Sequence, residues 1–217
     1  MIKLSKRLLL VASFVSDNSN IIDVGCDHAY LSIYLMETLK NSKIVASDIN
    51  PNPLKIAEEN IKKYGFQDKI KVELKDGITN LDKDIDTVII SGMGGILITK
   101  ILDKNNLNNV KTLILSPNND FLVVRKHLNK IGYEIKKEKI ITDNKITYLV
   151  LRAEKGKKKN NCLFGTLKNN DLETIYYFTK LLNNNTNILK KMPKKYIIKR
   201  SKIKHENKKI KKFLESC

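Results

Sequence analysis

Ile21-Ile22-Asp23-Val24-Gly25-Cys26-Asp27-His28-Ala29-Tyr30-Leu31 is the stretch that decides how this chain is read. A short apolar run ends in a glycine turn, and the turn opens an apolar-periodic helix. That is the strand, tight turn, helix layout of a first nucleotide-binding βα unit. The turn carries one glycine, and Asp27 stands where a dinucleotide fold usually has a second. The pyrophosphate of NAD or FAD is anionic and approaches this backbone closely, so a carboxylate there repels it. S-adenosyl-L-methionine has no phosphate and carries a sulfonium and an ammonium. The acidic turn favours that cofactor, and it disfavours an NAD-dependent oxidoreductase.

Outward from this unit, strand and helix patterns alternate. The spacing predicts strands over 21–24, 43–47, 70–74, 87–90, 112–115, 133–141 and 147–152. Helices are predicted over 8–15, 29–40, 51–64, 95–102 and 120–130. Asn50 is the expected N-cap of the helix that begins at Pro51. Asp143-Asn144-Lys145 reads as a hairpin turn between the last two strands. The expected fold is α/β: a seven-stranded, mostly parallel, Rossmann-like sheet closed by an antiparallel hairpin. Residues 1–154 form this domain. A charged linker, Lys155 to Asn161, then shifts the composition. Residues 155–217 are expected to form a basic helical appendage, a coiled-coil-like antiparallel pair. One helix aligns Leu172, Ile175, Tyr176, Leu182 and Leu189. The other aligns Tyr196, Ile203, Ile210 and Phe213, with the break at Pro193. Asn183-Asn184-Asn185 is the alternative place for the turn.

The 217 residues carry a formal net charge of +18, and its distribution matters more than its size. Residues 1–151 hold 22 Lys/Arg against 18 Asp/Glu, whereas residues 152–217 hold 19 against 5. AT-rich coding would load lysine everywhere, so the asymmetry points to a nucleic-acid partner for the last third. No apolar run is long enough for a membrane span. The first residues lead into an amphipathic helix and lack a signal-peptide cleavage site. Cys26, Cys162 and Cys217 are far apart and form no metal-ligand set. A cytoplasmic, metal-free, monomeric protein is expected.

Further candidates fall at the carboxyl ends of the strands, where open α/β sheets bind ligands. Gly25 lets a cofactor approach the backbone; Asp23 and Cys26 flank it. Asp23 instead serves local amides in the alternative reading. Asp48, with Ile49 beside it, follows strand 2, where a carboxylate accepts both ribose hydroxyls; the alternative is an Asx turn. Asp76-Gly77 follows strand 3, near the expected adenine. Ser91-Gly92-Met93-Gly94-Gly95 offers an open backbone surface after strand 4. Met93 packs on an adenine or fills the core. Ser116-Pro117-Asn118 occupies the same edge after strand 5, and Asn118 pairs with a base or caps the next helix. His28 bonds a substrate phosphate or its own loop, and His127 is expected on a helix surface.

Asp-Val-Gly-Cys-Asp-His-Ala-Tyr-Leu, Ser-Gly-Met-Gly-Gly and Ser-Pro-Asn together resemble the bacterial tRNA (adenine-N1)-methyltransferases of the TrmK type, and Leu4-Ser5-Lys6-Arg7-Leu8 resembles that family's opening helix. The resemblance implies methylation of N1 of adenine 22 in the tRNA D-loop, with S-adenosyl-L-methionine as donor. It marks Asp27 as the catalytic candidate. Asp23, Gly25, Cys26, His28, Asp48, Ile49, Asp76, Gly77, Gly92 and Met93 are the expected cofactor contacts. Arg7, His28, Tyr30, Gly94, Gly95, Ser116, Asn118, Lys195, Lys199 and Arg200 are the expected substrate contacts. Tyr30 stacks on the target base or belongs to the helix core, and the core reading is favoured. Two departures stand out. Cys26 replaces a frequent serine, and Ser116 replaces a frequent glutamine, which shortens its reach. The competing readings are a methyltransferase for ribosomal RNA or protein, and a non-catalytic RNA-binding protein on the same fold.

Overall fold

The computed structural model describes residues 2–216; Cys217 lies outside the described residues. Two compact units divide between Thr166 and Leu167. The first is a seven-stranded sheet in the order β3-β2-β1-β4-β5-β7-β6. Its strands are β1 (Asn20–Val24), β2 (Lys43–Asp48), β3 (Ile70–Leu74), β4 (Thr87–Ser91), β5 (Thr112–Ser116), β6 (Tyr133–Asp143) and β7 (Ile146–Lys155). β1 to β5 pair in parallel, and β7 runs antiparallel to both its neighbours. α1 (Lys6–Ala12) precedes β1, and the connections between strands carry α2 (Tyr30–Thr38), α3 (Pro51–Lys63), α4 (Gly95–Asp103) and α5 (Phe121–Lys130).

The central strands read as continuous apolar runs because helices cover both faces. Ile21, Ile22, Val88, Ile89, Ile90, Leu113, Ile114 and Leu115 are all fully buried. The strand order reverses at β1/β4, so the loops after β1 and β4 diverge and leave a crevice between them. Asn144 and Lys145 both take positive φ, at 49° and 66°, which matches a two-residue hairpin turn.

Three expectations are corrected here. The first helix is Lys6–Ala12, begun by the Ser5 hydroxyl accepting from the Leu8 amide, rather than 8–15. Asn50 sits at the start of α3 but its side chain makes no capping bond; the Asp48 carboxylate accepts the Asn50 amide instead. His127 is buried, not on the surface, because α5 turns that face onto its neighbours. Burial there holds its imidazole below the usual histidine range.

Residues 156–166 pack on the first unit rather than forming a free linker. Asn160 exchanges hydrogen bonds with Asn129, and its side-chain amide donates to the Tyr133 carbonyl. Thr166 donates its amide to Glu138. The second unit pairs α6 (Leu172–Lys191) with α7 (Ile197–Glu215). Asn169 donates to the Phe213 carbonyl, so the start of α6 lies beside the end of α7 and the pair is antiparallel. The turn falls around Pro193, and Asn183 to Asn185 are helical. The expected apolar stripe holds in part on α7, where Ile210 is buried and Phe213 packs inward, but not on α6. Leu172 is 82% and Tyr176 53% exposed, while Thr174, Phe178, Asn185, Asn207 and Ile210 are buried. Phe178 meets Phe213 edge-on at 5.1 Å and shifts the interior to its own face of α6.

Candidate functional site

A cavity of about 520 Å³ opens at the carboxyl ends of β1, β2, β3 and β4. It is lined by Arg7, Asp23, Gly25, Cys26, Asp27, His28, Tyr30, Asp48, Ile49, Asp76, Gly77, Gly92 and Met93, together with Lys75, Leu97 and Ile101. Most candidates from separate loops therefore meet in one place.

The floor is built by the β1–α2 turn. Gly25 has φ +70°, and a Cβ there would fall 2.4 Å from Met93 Cε. The glycine is needed for its backbone conformation, since the flexible end of Met93 can give way. Its amide and that of Cys26 donate to the Ser47 carbonyl, which ties the turn to β2. Asp27 and Ala29 also take positive φ, at 52° and 58°. Left-handed non-glycine residues are strained, and such strain gathers at functional sites. Here it turns Asp27 out to solvent while Cys26 and Ala29 stay buried. The Asn60 side chain, from α3, donates to the His28 carbonyl and braces the turn.

The walls are acidic. Asp23 is enclosed at the base and accepts from the Ser32 hydroxyl at 2.8 Å. Burial pushes its carboxyl up to about 6, against the Ser32 hydrogen bond and helped by the Asp48 charge. Cys26 is buried beside it, and burial with the Asp23, Asp48 and Asp27 charges pushes its thiol well up, so it is an inert thiol rather than a nucleophile. Asp48 forms the Asx turn, with Oδ1 accepting from the Asn50 amide; Oδ2 accepts from the Asp27 amide at 3.4 Å, and the group lines the cavity. Asp27 Oδ1 lies 3.5 Å from His28 Nε2, and His28 meets the Tyr30 ring edge-on at 5.8 Å. Tyr30 is 42% exposed on the rim, so the favoured core reading is corrected: as the first residue of α2 it precedes the helix's buried stripe.

The β4 loop forms the remaining wall. Arg7 donates to the Ser91 hydroxyl, places its guanidinium 5.2 Å from the Tyr148 ring centroid, and lies close over Gly92. Met93 lines the cavity rather than filling the core. Asn118 neither caps a helix nor lines the cavity; its side-chain Nδ2 donates to the Gly92 carbonyl at 2.7 Å and ties the two loops together. Gly94 and Gly95 start α4 behind the cavity wall. Ser116 is fully buried in β5, out of reach of a ligand. Lys195, Lys199 and Arg200 belong to the second unit. Arg200 donates to the Leu189 and Met192 carbonyls and so closes the C-terminus of α6, a structural task.

Sequence reasoning missed Lys75, Leu97, Ile101 and Asn60. Leu97 and Ile101 are four apart on α4, a spacing equally at home in a core. Lys75 pairs with Glu73 and carried no motif.

The donor set suits a cation. Four carboxylates, Asp23, Asp27, Asp48 and Asp76, line the cavity, and the one lysine is already held by Glu73. An ammonium and a sulfonium fit these walls and a pyrophosphate does not. Among the described residues no group of His, Cys, Asp and Glu is arranged to hold a metal ion.

The family model described as a methyltransferase domain matches residues 4–151. The tRNA (adenine(22)-N(1))-methyltransferase of Bacillus subtilis (strain 168) is 37% identical over 158 residues, covering 71% of this chain and 66% of its own length. The structure of M. capricolum TrmK in complex with S-adenosyl-homocysteine is 30% identical, covers 98% of both chains and superposes with a TM-score of 0.88. This chain is a TrmK-type methyltransferase. The B. subtilis M1A22 tRNA methyltransferase TrmK superposes at 0.86 with 25% identity, over 99% of this chain and 100% of that one. Both superpositions extend across the helical unit, beyond the reach of the methyltransferase-domain match. The M. capricolum structure holds S-adenosyl-homocysteine, the product of that enzyme's natural cofactor.

Proposed function

We propose that this TrmK-type enzyme methylates N1 of adenine 22 in the D-loop of tRNA. The observation that carries this reading is the exposed Asp27 carboxylate, set by a left-handed backbone on the rim of an acidic cavity beside Tyr30. When bound, S-adenosyl-L-methionine supplies a sulfonium-activated methyl group to the lone pair of N1. Asp23 and the bare backbone of Gly25 hold its amino-acid end. Asp48 takes the ribose hydroxyls with the lone pairs left free by its two amide hydrogen bonds. Asp76 and Ile101 border the adenine end.

The target base leaves its stack to reach this rim. Tyr30 stacks on it, and Arg7 over Gly92 limits how far it enters. Methylation places positive charge on the ring, so Asp27 stabilises that charge or accepts a proton from the exocyclic amine. No covalent enzyme intermediate is needed, and orientation supplies much of the rate. His28, beside Asp27, steadies the carboxylate. The protein works as a monomer, and its widely spaced free thiols are in keeping with the reducing cytoplasm. Among the described residues no helix is long and apolar enough to cross a membrane.

The test is incubation of the purified protein with unmodified tRNA and labelled donor, followed by mapping of the modified nucleotide. Asp27→Ala is expected to keep donor affinity by calorimetry and to lose about 100-fold or more in methyl transfer. Normal turnover by that variant removes Asp27 from the mechanism. Label on a ribosomal RNA instead of tRNA removes the substrate assignment.

A further inference from the structure

Beside the cavity lie aliphatic side chains that the reaction above does not use. Ile96 is 52%, Leu97 50%, Leu122 38% and Val123 39% exposed. Ile96 and Leu97 sit in the first turn of α4, and Leu122 and Val123 in the first turn of α5. The two turns lie side by side. They leave adjacent strands in register, with Ser91 opposite Ser116. The Asn118 amide donates to the Met93 carbonyl at 2.9 Å, and the Gly95 amide donates to Asn119 Oδ1 at 3.1 Å. Gly95 permits this approach: a Cβ there would fall 2.7 Å from the Asn119 carbonyl.

Contiguous exposed apolar surface marks an interaction site. Leu97 identifies the occupant, because it belongs both to this ledge and to the cavity wall. Whatever covers the ledge sits at the mouth of the cavity. A resident protein partner there would obstruct the base that must enter, whereas the substrate itself would not. Removing a base from an RNA stack costs unstacking energy, and apolar side chains inserted between base steps are a recurrent means of unstacking them.

We propose that Ile96, Leu122 and Val123 form an RNA wedge, which enters the stack next to the target nucleotide and holds the base everted. This rests on the tRNA reading above. Leu97 is left unaltered in the test because it lines the cavity.

The experiment compares the wild-type protein, the triple variant Ile96→Ser/Leu122→Ser/Val123→Ser, and an aliphatic control, Ile96→Leu/Leu122→Met/Val123→Leu. The substrate for fluorescence is tRNA carrying 2-aminopurine at the target position, whose emission rises when the base leaves the stack. Wild-type and control are expected to raise the emission. The serine variant is expected to lose most of the rise and to show a KM for unmodified tRNA higher by about tenfold. Its donor affinity and melting temperature are expected to match wild-type. Equal emission and equal KM for the serine variant overturn the wedge. A wild-type dimer in sedimentation that the serine variant converts to monomer also overturns it, since the face then joins two copies. Absence of tRNA methylation by the wild-type protein counts against the function itself rather than the wedge.

Discussion

Asp23 shows how one residue couples the site to pH. Its carboxyl is raised from 3.8 to about 6 in the folded protein, chiefly by burial. A carboxyl whose folded value lies above its unfolded one favours the protonated form. Its contribution to stability is therefore full below 3.8 and is lost as pH rises through 6. The loss is of order 3 kcal/mol. Thermal melts of the ligand-free protein across this window should fall more steeply for wild-type than for Asp23→Asn. A cationic ligand acts in the opposite sense: it favours the ionised group, so donor affinity should rise across the same window with release of a proton, measurable by calorimetry in buffers of different ionisation enthalpy. The carboxylates and the glycine turn were legible because their positions after strands carry meaning. The burial of Ser116 was not, since it depends on strands distant in sequence; the exposure of Tyr30 turns on where α2 begins, and the capping task of Arg200 on the turn that brings it back to Leu189 and Met192.

At the scale of elements, the strongest polar device outside the site joins α5, β6 and the strap that follows β7. Arg125 Nε donates to Glu138 Oε1 at 2.7 Å, with the two side chains 3% and 0% exposed. Arg125 also donates to the Leu163 carbonyl, and Glu138 accepts the Thr166 amide. Gly165, at φ +60°, passes so close that a Cβ would lie 1.5 Å from Glu138 Oε2. Glu138→Ala leaves the Arg125 charge buried and unpaired, which costs about 3–5 kcal/mol. Chemical denaturation is expected to show that loss, and limited proteolysis to show faster cleavage within 160–166. Strand and helix placement was largely readable from periodicity, whereas this strap was read as linker because its lysines and asparagines look solvated. The inner face of α6 was misread for a related reason, whereas Ile210 and Phe213 of α7 were placed correctly. Near-heptad spacing allows more than one stripe, and Phe178 against Phe213 selects one that also buries Asn185 and Asn207.

For the whole molecule, charge is divided between the units. The second holds 14 Lys/Arg against 4 Asp/Glu, a balance of +10. Lys204, Lys208, Lys211 and Lys212 line a cavity of about 470 Å³ on it, beside Thr186 and Asn207. Such lysines bind phosphate without reading sequence. Replacing these four by Gln should weaken tRNA binding. The slope of log affinity against log salt should become shallower by about 0.7–0.9 for each phosphate the variant no longer neutralises. Filter binding over a salt series measures this, and donor affinity is expected to stay unchanged.

The chain's own order of residues determined the βα alternation, the cation-favouring turn at Gly25-Cys26-Asp27, and the concentration of lysine after residue 152. Each is local: a hydrophobic period, a turn conformation or a count. Only the tertiary structure decided which polar groups face the cavity and which are spent on holding loops, and where the aliphatic ledge lies. Burial is set by what packs against a residue, and those neighbours come from strands and loops far away along the chain.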